Sequence, residues 1–298
     1  MSIILDENST VIVQGMTGRE GSLRTKYMQD YGTKVVAGVT PGKGGTEVHG
    51  IPVYNTVKEA IRAQGHIDAA VTFVPGPLLR GAVYEAIDAG IKFVCSPVER
   101  IPVHDVIDMV TYARKHDVKL LGPGSLGMIS PGKAVVGWLG GSVDWANTLF
   151  DPGPIGVISR SGGQSGTVPW ALKVAGLGIS TALHIGTEPV LGLTMADVLK
   201  NFEEDEQTKA VAVFGEIGGT LEEEAAEAVA NGEFTKPLVV FIAGAWAPEG
   251  MRFSHASSIV EKGRGTAQGK MTALTEAGAY VVDSPEEIAP KIKELIAV

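Results

Sequence analysis

A single cysteine, Cys95, stands in the 298 residues, so no intrachain disulfide can form and packing and hydrogen bonds must hold the fold. Its setting, IKFVCSP, reads as a buried strand that ends at a loop, where a free thiol simply packs. Positive charge is also short. Lys and Arg number 25 against 34 Asp and Glu, a formal charge of −9, which is the wrong surface for broad contact with nucleic acid or an anionic membrane. An anionic ligand must therefore be held by local groups. No apolar run reaches the ~18 residues that a membrane-spanning helix needs. The opening stretch MSIILDENSTVIVQG has neither the basic region, the long apolar run nor the small-residue cleavage site of an export signal. These absences predict a protein of a reducing compartment, the cytoplasm, with no nucleic-acid or membrane partner. Apolar residues at 44% and charged residues at 20% give an ordinary globular balance and exclude low-complexity disorder.

What is present is alternation. TVIVQG, KVVAGV, AAVTFV, KFVCS and VKLLG are β-branched runs of strand length, and helical spacing fills residues 18–31, 57–63, 77–89 and 103–115 between them. Strand–helix alternation of this kind predicts a parallel sheet covered on both faces. Residues 130–154 are rich in Gly, Pro and turn formers, break the rhythm, and read as a connection. The rhythm resumes with PIGVIS, GISTALHI, AVAVFG, PLVVFIAG and AYVVD, separated by helical segments near 163–175, 194–204, 220–232, 266–277 and 285–296. The expectation is an α/β protein with two doubly wound domains, 1–129 and 155–298. The charge run EEEAAEAVA, residues 222–230, is assigned to a solvated helix face.

In open parallel sheets ligands bind at the carboxyl ends of strands, so the loops there carry the chemistry. The first is GMTGREG, residues 15–21, whose G-x-x-G-x-x-G spacing lets backbone approach a diphosphate at a helix N-terminus. An acidic ribose ligand is missing after the second strand, which runs instead into VTPGKGG, residues 39–45. A cation among glycines suits a phosphate-rich ligand better than a nicotinamide dinucleotide, and no hydride-transfer donor is identifiable. A lone histidine, His255, sits among small residues in FSHASSIVEKGRGTAQGK, residues 253–270. The basic loop that follows is not a P-loop, because position 264 is Arg and Lys270 is followed by Met271. No triphosphate site is legible in the chain.

Ordered motifs across both domains carry a specific resemblance: GMTGREG at 15–21, VTPGKGG at 39–45, EAIDAGIK at 85–92, SPGK at 130–133, SRSG at 159–162, GEIGG at 215–219 and the histidine segment. The chain resembles the α subunit of succinyl-CoA synthetase, the nucleoside-diphosphate-forming acid–CoA ligase, over essentially its whole length. The resemblance implies a Rossmann-like CoA-binding domain and a flavodoxin-like second domain. It implies as partner an ATP-grasp β subunit, in a heterodimer or heterotetramer, that binds ATP or GTP with Mg2+. Thr17, Gly18, Arg19, Glu20, Lys43, Ser96, Pro97 and Val98 match CoA-binding positions, Glu20 through its backbone because its carboxylate would repel phosphate. His255 aligns with the family's phosphorylated histidine, whose imidazole is a nucleophile that is neutral near pH 7. Glu216 matches the carboxylate that orients that ring and stabilises positive charge on it. Ser161 and Gly162 open a helix whose free N–H groups would hold the phosphate.

The acid substrate is less constrained. The family's SRSGTLTYE is SRSGGQSGTVPW here, which places Gly166 where a substrate-contacting tyrosine is expected. The histidine's GHAG is SHAS, GGDP is GTEP at 186–189, and GPNCPG is GPGSLG at 122–127. These departures leave malate, citrate or sulfoacetate open beside succinate. A non-catalytic CoA-binding regulator would keep Lys43 but has no use for the pair of His255 and Glu216. A citryl-CoA lyase-like module is the less expected alternative, because no added citrate-synthase-like domain is legible in this sequence.

Overall fold

The computed structural model describes residues 3–245 and 265–296. His255 lies outside the described residues. From the N-terminus the elements are β1 (Thr10–Gln14), α1 (Arg19–Tyr31), β2 (Lys34–Val39), β3 (Glu47–Val48), β4 (Ile51–Tyr54), α2 (Val57–Gln64), β5 (Ala69–Thr72), α3 (Leu79–Asp88), β6 (Phe93–Cys95), α4 (Val103–Lys115) and β7 (Lys119–Leu121). They form a seven-stranded sheet in the order β3-β4-β2-β1-β5-β6-β7, parallel except for the edge strand β3. Without that edge strand, this is the doubly wound dinucleotide-binding order, and its switch point falls between β1 and β5.

Helix boundaries follow local chemistry. The Thr56 hydroxyl accepts the Glu59 N–H at the start of α2, and α1 stops at Gly32, whose φ of 107° other residues adopt at a cost. Strand alternation splits the core in two. Ile12, Val39 and Val94 face α2, α3 and α4, whereas Val11, Val13, Val71 and Cys95 point the other way, into a core continuous with the second half of the chain. Burial pushes the Cys95 thiol well above its ordinary pKa, which leaves it a packing residue. Two contacts fasten this second face: Thr33 Oγ1 donates to the Val135 carbonyl at 2.7 Å, and the Tyr27 hydroxyl donates to Leu139 O.

The second sheet begins earlier than expected. It contains β8 (Gly127–Ser130), β9 (Ala134–Gly137), β10 (Pro152–Ser159), β11 (Ile179–His184), β12 (Ala210–Glu216), β13 (Leu238–Ala243) and β14 (Tyr280–Val282), in the order β14-β13-β12-β10-β11-β8-β9. Its five parallel strands have the flavodoxin order, and the antiparallel hairpin β8–β9 extends the edge beside β11. Residues 130–154, expected as a connection, thus supply β9 and the short helix α5 (Val143–Leu149). Glycines disguise them: Gly127 and Gly137 approach so closely across the hairpin that a Cβ on Gly127 would lie 1.8 Å from the Val136 carbonyl oxygen. The remaining helices are α6 (Thr167–Val174), α7 (Met195–Glu204), α8 (Leu221–Ala230), α9 (Ala267–Glu276) and α10 (Ile288–Ile296). Among the described residues no helix is long and apolar enough to cross a membrane.

Candidate functional site

Two clusters of loops lie at the carboxyl edges of the two sheets. In the first, β1 runs into Gly15, whose φ is 81° and whose added Cβ would sit 2.3 Å from the Phe73 carbonyl oxygen. Gly21 is as tightly held, because its Cβ would meet Gly15 O at 2.2 Å. Between them, Gly18 is the N-cap of α1 and offers no side chain to the first turn, so the helix presents uncapped N–H groups and its dipole to an anion. Arg19 and Glu20 are exposed on that first turn, and Glu20 pairs with Arg24 at 3.3 Å. Thr17 N–H points at Thr40 Oγ1 at 3.4 Å, which joins this loop to the one after β2.

That second loop is braced by a residue sequence reasoning missed. Asn55 Oδ1 accepts the N–H groups of Gly42 and Gly44 at 2.9 and 3.0 Å, and Lys43 stands exposed between them. Gly44 has no room for a side chain: its Cβ would lie 2.3 Å from Asn55 Nδ2. An Asn just past a strand and twelve residues from a Lys carries no motif. The third segment is more deeply packed. Ser96 and Pro97 are buried and Val98 half-buried, with Ser96 N–H donating to Leu121 O and Val98 O accepting from Gly124 N–H, each at 2.9 Å.

The second cluster gathers at the switch point of the flavodoxin-like sheet, between β10 and β12. The turn after β10 corrects one expectation: α6 begins at Thr167 with Gly166 as its N-cap, so Ser161 and Gly162 precede the helix rather than open it. The Gly162–Gly163 pair resists helix, and serine hydroxyls offer competing bonds. Ser159 Oγ takes the Ser161 N–H at 3.2 Å, and Ser165 Oγ donates to Gly162 O at 2.8 Å. The Ser161 amide is therefore engaged within the turn.

Glu216 ends β12 and is 8% exposed. Its N–H donates to Glu222 Oε1 at 3.1 Å and its carbonyl accepts from Arg160 Nη1 at 3.2 Å. Glu222 overturns the solvated-face assignment of its charge run, for it is fully buried against Arg160 and Lys270, themselves 1% and 0% exposed. Burial alone would push the Glu222 carboxyl up, but the two cations and the Glu216 amide reverse this and hold it below the usual carboxylate range. His184, at the end of β11, is also buried. Leu126 N–H donates to its Nδ1 at 2.9 Å, which leaves the proton on Nε2, 3.2 Å from the Arg160 carbonyl oxygen. Arg160, His184, Glu222 and Lys270 were not among the site residues expected from sequence.

Gly166 lines a cavity of about 980 Å³ together with Trp138, Trp145, Leu149, Ser165 and Trp170. Among the described residues a Cβ at 166 would come no closer than 3.4 Å to a neighbour, that neighbour being Leu149, so the position has room there. Among the described residues Arg24 is the cation lining this cavity, and it lies 4.2 Å over the Trp138 ring. Among the described residues no group of three His, Cys, Asp or Glu is placed to hold a metal ion.

The chain joins a Rossmann-like sheet, with a glycine-rich loop at a helix N-terminus, to a flavodoxin-like sheet with a carboxylate at its switch point, a pairing that fits a CoA-dependent ligase subunit. The sequence patterns of two families agree with this: the CoA binding domain over residues 6–98 and the CoA-ligase domain over residues 158–280. The α subunit 1 of the ADP-forming succinate–CoA ligase of Archaeoglobus fulgidus is 48% identical over 298 residues, 99% of each chain. A subunit of the ADP-forming sulfoacetate–CoA ligase of Bilophila wadsworthia is 42% identical over 296 residues, 99% of this chain and 100% of that one. Among solved structures, ATP citrate lyase from Methanothrix soehngenii, in complex with citrate and coenzyme A, superposes with a TM-score of 0.88 at 25% identity. That match covers 99% of this chain and 52% of the lyase chain, so the present chain spans about half the length of that structure. The chain belongs to the family of α subunits of ADP-forming succinate–CoA ligases and their relatives.

Proposed function

We propose that the chain is the α subunit of a carboxylate–CoA ligase that makes an acyl-CoA from a small acid, CoA and ATP through a phosphohistidine. A carboxylate does not react with a thiol until one of its oxygens is made a leaving group, and release of ADP means that the group transferred is phosphoryl. The γ-phosphoryl group passes first to an imidazole nitrogen of His255 and then to a carboxylate oxygen of the acid. The CoA thiol attacks the resulting acyl phosphate at its carbonyl carbon, and phosphate leaves. The observation that carries this reading is the convergence of Glu216 and the Arg160–Gly166 turn at one switch point, where Arg160 bonds the Glu216 carbonyl directly. Glu216 orients the imidazole and stabilises its positive charge, and Gly162 supplies backbone to the phosphoryl group.

CoA occupies the crevice of the first sheet, with its diphosphate at Thr17, Gly18, Arg19 and the Glu20 backbone, Lys43 on a phosphate, and Ser96, Pro97 and Val98 beside the remainder. The division proposed is a CoA-binding domain reaching to about residue 126 and a ligase domain from the β8–β9 hairpin onward. ATP and Mg2+ belong to an ATP-grasp β subunit, in a heterodimer or heterotetramer, and the complex works in the cytoplasm, where CoA and ATP are made. The acid is a short dianion. Relatives at 48% and 42% identity are named for succinate and for sulfoacetate, each a short chain with two anionic ends. The open space at Gly166 favours an acid other than succinate, and a panel of acids assayed with the complete complex decides between them; a clear preference for succinate counts against that inference.

The test of the mechanism is chemical. Incubated with γ-labelled ATP, the α–β complex should acquire an acid-labile, alkali-stable label on this chain, and His255→Ala should abolish both label and turnover. Retention of both in the variant refutes the phosphohistidine.

A further inference from the structure

Arg160, Glu222 and Lys270 bury three charges at exposures of 1%, 0% and 0%. Burying ions costs several kcal/mol each, and apolar side chains of similar volume commonly serve stability as well or better. The cluster therefore calls for a purpose beyond holding the sheet together. Its remaining bonds show where its rigidity goes. Glu222 Oε1 takes the Glu216 N–H at 3.1 Å, and Arg160 Nη1 donates to the carbonyls of Glu216 and Gly218 at 3.2 and 2.8 Å. Lys270 Nζ donates to the same Gly218 carbonyl at 2.9 Å and to Glu222. The peptide groups on both sides of Glu216 are thus clamped by a cluster in which Arg160 and Lys270 lie 62 and 48 residues from Glu222 in sequence.

The clamped turn needs that support. Gly218 and Gly219 both have positive φ, 83° and 63°, and glycines carry no side chain of their own to fix them. Arg160 also belongs to the facing turn. Its backbone precedes Ser161 and Gly162, and its carbonyl accepts the Nε2–H of His184 at 3.2 Å. One residue thereby sets the distance between the turn after β10 and the turn after β12.

We propose that Arg160, Glu222 and Lys270 are positioning residues for phosphoryl transfer: they hold the Glu216 carboxylate in register with the Ser161–Gly162 turn, an inference that rests on the role given to Glu216 above. Displacing a catalytic group by about 1 Å commonly lowers a rate by about a hundredfold. The three side chains are buried and offer the substrates no surface, so binding is spared while the chemical step suffers.

The test uses the α–β complex and normalises activity to CoA sites counted by titration calorimetry. Lys270→Met keeps length and burial but removes both bonds. It should slow formation of the phosphoryl label and lower kcat roughly tenfold to a hundredfold, with KM for the acid and Kd for CoA within about twofold. The double variant Glu222→Gln/Lys270→Met, which keeps the net buried charge of this trio, should do the same, and it carries the test if the single variant does not fold. Label formation and kcat at the parental level per CoA site, in either variant, overturn the proposal. So does failure of both variants to fold, which makes the cluster a requirement of folding. Glu216→Gln is assayed in parallel: if it labels at the parental rate, the role of Glu216 itself falls, whereas slow Glu216→Gln beside normal Lys270→Met defeats the cluster alone.

Discussion

Lys43→Ala isolates the CoA site cleanly because of where Lys43 stands. The side chain is exposed, has no ion-pair partner among the described residues, and extends from a turn whose shape Asn55 sets through Gly42 and Gly44. Its removal should leave stability within about 0.5 kcal/mol of the parent, as for other surface changes. A charge-assisted hydrogen bond is worth about 1.5–3 kcal/mol, and solvent screening at an exposed phosphate places Lys43 at the low end. That corresponds to roughly a tenfold rise in the Kd for CoA. Titration calorimetry on the complex at two salt concentrations should show the effect shrinking as ionic strength rises. Phosphorylation by ATP should be unaffected, since the proposed phosphoryl site lies on the other sheet. Asn55→Ala should weaken CoA binding less, because the cation remains while the turn that aims it loses two bonds. An unchanged Kd for Lys43→Ala would remove the residue from the site.

Two further outcomes follow from the packing. Glu222 has a carboxyl pKa held below the ordinary value of 4.5, so the stability it contributes is present above that value and is lost as pH falls through the carboxylate range. Thermal unfolding followed from pH 7 down to about pH 3 should show a decline that is shallower in Glu222→Gln, whose melting temperature at pH 7 is lower from the start; parallel curves would refute the linkage. Gly21→Ala forces a Cβ to within 2.2 Å of the Gly15 carbonyl, an overpacking that should cost about 1–3 kcal/mol in urea unfolding and weaken CoA binding with it. Parental stability and CoA affinity would show that the loop gives way without cost.

How much of this was legible depended on the range of each interaction. The parallel strands announced themselves because both faces are buried, which makes TVIVQ and AVAVFGE continuous apolar runs. Helix starts were legible where a cap is encoded locally, as at Thr194, which forms a capping box with Asp197 at the head of α7. The β8–β9 hairpin was not, because GMIS and AVVG are four residues each amid glycine and proline, and their pairing is decided by the neighbouring β11. Glu222 was misread for the same physical reason on a longer scale. A run of three glutamates normally means solvent, and only Arg160 and Lys270, 62 and 48 residues away, make a buried carboxylate tenable. Site motifs such as GMTGREG were legible because glycine's steric requirement is local. The residues that brace those motifs were not, since Asn55, His184 and Lys270 act through the folded backbone alone.

The two sites also differ in how they meet negative charge, and the difference fits what each must do. An acidic chain that binds CoA needs a cation free to reach the ligand, and Lys43 is exposed on the rim of its loop. In the second sheet the buried cations are already committed: Arg160 and Lys270 face Glu222, and Glu223 lies 3.5 Å from Lys270. A fixed, uncompensated cation beside a transfer site would bind the phosphoryl group equally well before, during and after its passage, and such uniform binding does not accelerate the transfer. A charge-balanced cluster that shapes the backbone leaves the holding of phosphate to groups that can release it. Tight retention of inorganic phosphate by the unlabelled complex would contradict this division, and phosphate that exchanges freely is the outcome it requires.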